Sequence, residues 1–246
     1  MLVKTSGVIV KVKKFGNDSR LLWILTNDRG LIRVFDKERT NGGGFVATEL
    51  FCCSDFVLFR GKEAFRVNLA EIKEAFWGLR SDIVSFVLAS YFCEVVCKVF
   101  CEATSPDNFE AFSELIICSF HLLALKKKNF LLVKAAFELK IACLLGFLPD
   151  ISGDGKFFSS QHGCLVNSRD DECFLISGDI LAAMSFIIRS SGKKMFSFEL
   201  SEENLNKLGN LTEKYLIDRL ECEIKTLVHF KQFWNLEQQP AQTPKS

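Results

Sequence analysis

The sequence predicts an α+β protein: a five-stranded β-barrel over residues 1–78, an all-α helical domain over 79–236 with an irregular insertion at 150–177, and a tail at 237–246. Three observations predict it. Up to Gly78 the apolar residues recur with a period near two, in short runs separated by turn clusters. From Ser81 the spacing changes to three and four. Between Asp150 and Ser177 neither period holds.

Residues 7–15 alternate, with Val8, Val10 and Val12 on one face and Ile9, Lys11 and Lys13 on the other. Residues 16–19 turn the chain into the apolar run 21–25. Residues 27–30 turn it back into 31–35, where Ile32 and Val34 oppose Arg33, so this pair is a hairpin. Residues 36–44 are polar and glycine-rich, the composition of a mobile surface loop. Residues 47–60 read as one long strand bent near 53–55, and Gly61 with Lys62 turns it into 65–69. Five strands in so short a span are too few for a two-sheet sandwich. They fit a small barrel of OB or SH3-like type, and the pattern leaves the two open.

Ser81 is placed to cap a first helix over 82–102, with Asp82 in its positive first turn. Further helices are expected over 108–127 and 129–146, the latter ended by Gly146 and Pro149. A short helix over 178–189 follows the insertion. One long helix over 202–234 closes the domain, capped by Ser201. The Gln- and Pro-rich tail reads as disordered.

The 246 residues carry a net charge of +1, which hides an asymmetry. Residues 1–48 hold 9 Lys/Arg against 4 Asp/Glu, a balance of +5, and a basic module suggests a polyanionic partner. Lysines break the opening apolar run, so no signal peptide is read there, and the run 115–125 is too short to span a bilayer. Of the ten cysteines, Cys93, Cys97, Cys118 and Cys143 lie in apolar helical runs, the habit of free thiols in a reducing cytoplasm.

No catalytic constellation emerges. Cys93, Cys97 and Cys101 repeat every four residues on one helix and form no metal knuckle; they read as core thiols. Cys164, Cys173 and His162 lack a C-x-x-C pair. His121, in an apolar run, reads as a core histidine. The glycines 42–44 lack the Lys-Ser/Thr and following helix of a phosphate loop. What remains is basic: Lys4, Lys11, Arg20, Arg33, Lys37 and Arg39, all on the barrel strands or the loop that leaves them. With charge for the backbone and aromatic rings for the bases, such a surface suits single-stranded nucleic acid. Phe35 and Phe45 flank the polar loop and are the stacking candidates; Trp23 reads as core.

Four stretches, in order, resemble the RecO recombination mediators. They are the opening Val-Lys-Thr-Ser-Gly-Val-Ile-Val of 3–10 with Phe-Gly-Asn-Asp-Ser-Arg at 15–20; Thr-Asn-Asp-Arg-Gly-Leu at 26–31; the junction Phe-Trp-Gly-Leu-Arg-Ser-Asp at 76–82; and Leu-Leu-Gly-Phe-Leu-Pro-Asp at 144–150. The resemblance implies the OB alternative for the barrel and a role without chemistry. It implies binding of single-stranded DNA and of the tail of the single-stranded-DNA-binding protein SSB, action with RecR in loading RecA, and strand annealing. It puts DNA on Arg20, Arg33, Lys37 and Arg39, with Lys4 and Lys11 beside them, in a bacterial cytoplasm. Two departures stand out. The family's two C-x-x-C pairs, which bind zinc, are missing, so no metal and no cofactor is expected. The loop after Asp36 offsets Lys37 and Arg39 with Asp36 and Glu38, which lowers the expected grip on DNA. An alternative remains: an adaptor whose helical lysines, Lys134 and Lys140 among them, capture an acidic-hydrophobic peptide such as an SSB tail.

Overall fold

The first strand is far longer than its neighbours, and its bend makes the barrel. The computed structural model of the chain describes residues 1–16, 18–37, 46–61, 64–100, 107–168 and 173–238. Strand β1 (Leu2–Phe15) pairs through its first half with β4 (Cys53–Arg60) and through its second half with β2 (Ser19–Thr26). At Gly7 it has both partners at once. A Cβ there would sit 2.6 Å from the Leu25 carbonyl oxygen, so only glycine fits. The register shifts between Ile9 and Lys11, a bulge that breaks the expected alternation and buries Val8, Ile9 and Val10 in succession.

β2 forms the expected hairpin with β3 (Gly30–Lys37). β5 (Phe65–Glu74) pairs antiparallel with β4 and parallel with β3, closing the barrel in the order β1-β2-β3-β5-β4. That closure, with consecutive hairpin strands and a parallel seam, is the Greek-key connectivity of the OB barrel. The expected strand over 47–60 is shorter than its apolar run. Residues Val46–Thr48 form a 3-10 turn, Phe51 takes φ 69°, and pairing begins only at Cys53.

A small core of Ile9, Leu22, Ile24, Val34, Phe56 and Leu58 fills the barrel. A second, larger core belongs to the helices, and the barrel contributes to it Val8, Val10, Leu25, Phe51 and Phe76. Barrel and helices therefore share apolar packing. The junction 3-10 turn Trp77–Arg80 presses Gly78 on the second helix so closely that a Cβ would lie 2.1 Å from the Ala124 carbonyl oxygen.

Three helices follow: α1 (Ile83–Val99), α2 (Phe109–Leu125) and α3 (Phe130–Leu144). Side chains cap each of them, and for α1 the cap is Asp82, not Ser81: its carboxylate accepts from the Ser85 amide at 2.8 Å. Helix α3 has no polar stripe because α2 and two later helices enclose it. Those are α4 (Gly178–Arg189) and α5 (Glu202–Leu220). The irregular stretch is a three-stranded sheet, β6 (Phe157–Ser159) between β7 (Cys164–Val166) and β8 (Cys173–Leu175). It docks on α5 through the Phe158–Tyr215 ring contact and the Ser160–Asp218 hydrogen bond.

The expected last helix is two. Glu221 ends α5 in the left-handed conformation, and α6 (Lys225–Gln238) restarts after a short turn. Glu94 on α1 supplies the new start, its carboxylate accepting from the amides of Lys225 (3.2 Å) and Thr226 (2.9 Å). The expected tail begins at 237, but α6 runs to Gln238, and 239–246 lie outside the described residues. Among the described residues no helix is long and apolar enough to cross a membrane.

Candidate nucleic-acid interface

Period two dictates which β1–β3 side chains share the outer surface. Past the bulge, β1 and β3 flank β2 in register and make three rows: Lys11–Trp23–Arg33, Lys13–Leu21–Phe35 and Phe15–Ser19–Lys37. All nine residues are exposed or half-buried. Cations stand at both edges of the first row, around Trp23, and at one edge of each of the other two, facing Phe35 and Phe15 across β2. Lys11 Nζ lies 4.9 Å from the centre of the Trp23 ring, and Phe15 meets Phe35 edge-on at 5.1 Å. Lys11, Lys13, Arg33 and Lys37 make no ion pair among the described residues, so their charge is available to an anion.

The face thus gathers Lys11, Arg33, Lys37 and Phe35 from the sequence-predicted set. It adds Lys13 and Phe15, which share the parity of Lys11, and Trp23. That residue is half-buried, packed against the larger core, with Lys11 over its ring. Arg39 and Phe45 lie outside the described residues.

Two members of the basic set go elsewhere. Arg20 has the parity of Leu22 and Ile24 and points inward, only 8% exposed. Its guanidinium donates to Asp36 at 2.9 Å, Thr48 at 2.6 Å and Glu49 at 2.7 Å. These partners stand on both sides of residues 38–45, so one buried cation ties together the two flanks of the polar loop. It is a structural clamp, not a surface contact. Lys4 is exposed but sits on the first half of β1, opposite Val57, in a depression that also holds Asp55 and Glu71.

The helical lysines are corrected too. Lys134 is 2% exposed and bridges Glu138 (2.7 Å) and Glu213 (2.8 Å). Burial disfavours its ammonium, but the two carboxylates outweigh that and hold its pKa above the ordinary lysine value. Glu138, fully buried, also accepts from Tyr91 (2.7 Å) and Thr212 (2.9 Å), which satisfies the network. Lys140 donates to the carbonyls of Ile188 (3.1 Å) and Ser190 (2.6 Å), capping the end of α4. Neither lysine is free for a peptide.

The metal question turns on donors. Cys164 and Cys173 both lie opposite Ser159, on either side of the middle strand, so two strand spacings separate them. Among the described residues no three His, Cys, Asp or Glu side chains cluster as a metal site would need. His121 is half-buried edge-on against Phe76 at 4.9 Å, and burial lowers its pKa.

Comparison with known proteins extends over both parts of the chain. Residues 1–76 match the family described as Recombination protein O N terminal, and residues 80–227 the one described as Recombination protein O C terminal. The chain is 28% identical to the DNA repair protein RecO of Acetivibrio thermocellus over 93% of its own length and 98% of that protein's. It is 32% identical to the RecO of Alkaliphilus metalliredigens over 68% of this chain and 71% of that one, and 28% identical to the RecO of Clostridium novyi over 93% of both.

Proposed function

Because the chain belongs to the recombination protein O family of DNA repair proteins, we propose that it is a recombination mediator without catalytic activity that holds single-stranded DNA on the outer face of β1, β2 and β3. One observation carries the reading: three rows on one face that each combine an aromatic ring with at least one cation, none of them ion-paired among the described residues. The cations suit a phosphate backbone, and Phe15 and Phe35 offer rings to splayed bases. Family membership further supports contact with the SSB tail and with RecR, assistance in loading RecA, and strand annealing. The test is binding of a fluorescein-labelled oligothymidylate at low salt. Lys11→Glu/Arg33→Glu should abolish it without shifting the melting temperature; unchanged affinity in that variant would sink the proposal.

A second reading, an adaptor for an acidic-hydrophobic tail, draws on residues other than Lys134 and Lys140. Trp77 (62% exposed) and Leu125 (56% exposed) flank the Gly78–Ala124 contact, with Arg80 5.5 Å from the Trp77 ring and Lys126 beside Leu125. Capture by an immobilised SSB tail peptide, lost in Trp77→Ala, together with no affinity for bare oligonucleotide, would favour it.

A further inference from the structure

The rows on β1–β3 stop at β3, but the groove does not. β3 and β5 meet over only two residue pairs, Val34 with Phe65 and Phe35 with Arg66, which makes this the thinnest seam of the barrel. Two cavities open along it, of about 520 Å³ and about 430 Å³, and Phe35 lines both. The first adds Arg33 and Arg60 to walls that include Ile32 and Phe65. The second adds Lys37 and Arg66 beside Phe15. No carboxylate lines either one among the described residues, in contrast to the depression around Lys4, where Asp55 and Glu71 do.

We infer that this seam is a pair of base subsites for a single strand, with Phe35 wedged between successive bases and Arg60 and Arg66 on the phosphates. The inference rests on the proposed nucleic-acid reading of the β1–β3 face and adds β4 and β5 to it. Each cavity combines an aromatic wall, which accepts the π-face of any base, with two cations, which follow the backbone. A base can enter only after leaving its neighbours' stack. The seam therefore selects single strands over a duplex, whose bases stay paired.

The experiment uses the full chain, a fluorescein-labelled oligothymidylate and a duplex of the same length. Arg60→Ala/Arg66→Ala, both exposed positions, should flatten the slope of log affinity against log salt by about 1.4, at about 0.7 per lost phosphate contact. Phe35→Leu, which keeps an apolar side chain but no ring, should weaken single-strand binding about 5- to 150-fold per base left unstacked. Phe35→Trp should retain it, and duplex binding should not respond to Phe35→Leu. Unchanged slope and affinity in these variants, with Lys11→Glu/Arg33→Glu still abolishing binding, would overturn the seam and leave the β1–β3 face standing. A wild-type chain that binds no oligonucleotide at low salt would remove both.

Discussion

Replacing Arg20 by alanine separates a clamp from a DNA contact. The guanidinium side chain is 10% exposed and its partner Asp36 8%, whereas Glu49 is 36% exposed. Removing one member of a buried pair leaves a desolvated carboxylate without its cation, a loss of about 3–5 kcal/mol. The Glu49 arm, screened by water, adds about 0–1 kcal/mol. Together these make about 3–6 kcal/mol, and for a chain of this size each kcal/mol moves the melting temperature by about 2–4 °C, so a drop of about 6–24 °C is expected. The assay is thermal unfolding followed by circular dichroism, paired with oligonucleotide titration at several salt concentrations below the transition. The clamp predicts the large drop with an unchanged salt slope. An unchanged melting temperature with a slope lowered by about 0.7, the value for one phosphate contact, would refute the reasoning and return Arg20 to the surface.

Three other outcomes follow from the same packing. Lys134→Met strands Glu138 in the core and should cost about 3–5 kcal/mol in urea unfolding; Lys134→Met/Glu138→Leu should recover most of it, as replacing a whole buried pair by apolar groups does. Gly78→Ala drives a methyl onto the Ala124 carbonyl and should cost about 1–3 kcal/mol as an overpacked contact, read as a lower urea midpoint. Glu213 supplies a pH dependence. Burial alone would raise its carboxyl, but Lys134 and Lys231 outweigh burial and hold it below the usual carboxylate range. A group depressed in the folded state stabilises above its unfolded pKa, about 4.3 for glutamate. That stability is lost as pH falls through the lower folded value. The urea midpoint should therefore fall in acid, and Glu213→Gln should start lower at neutral pH and fall less steeply.

Much of the fold is legible because local chemistry and tertiary packing agree. Asn108 and Asn129 cap the helices that the spacing predicts, and the β2–β3 hairpin follows from its turn residues and its apolar runs. Where the reading of the sequence fails, a charge or a break is hidden by its neighbours. Arg20 has the inward parity of Leu22 and Ile24, but residues 21–25 are apolar on both faces because Leu25 packs on the helices, and the parity is masked. Lys134 reads as a lysine free to hold a peptide carboxylate, with nothing local to show that Glu138 one turn on takes it. Both are buried because α3 is enclosed and the two charges neutralise each other. The break at Glu221 carries no glycine, and Ile224, Leu227 and Phe230 continue the apolar spacing across it. Arg60 and Arg66 were invisible as site residues for another reason. Only the parallel β3–β5 seam brings them beside Phe35, and no local pattern encodes a pairing so distant in sequence.

The central claim is that the cations on the β1–β3 face hold the backbone of a single strand. Its most direct test is the affinity of the full chain for a labelled oligothymidylate across a salt series. If Lys11, Lys13, Arg33 and Lys37 each neutralise a phosphate, log affinity should fall against log salt with a slope of about −2.8, at about −0.7 per contact, and of about −4.2 where Arg60 and Arg66 add two more. Reversing Lys11, Arg33 and Lys37 to glutamate should eliminate the binding while the melting curve stays in place. Binding that ignores salt, or that survives the triple reversal, would contradict the claim.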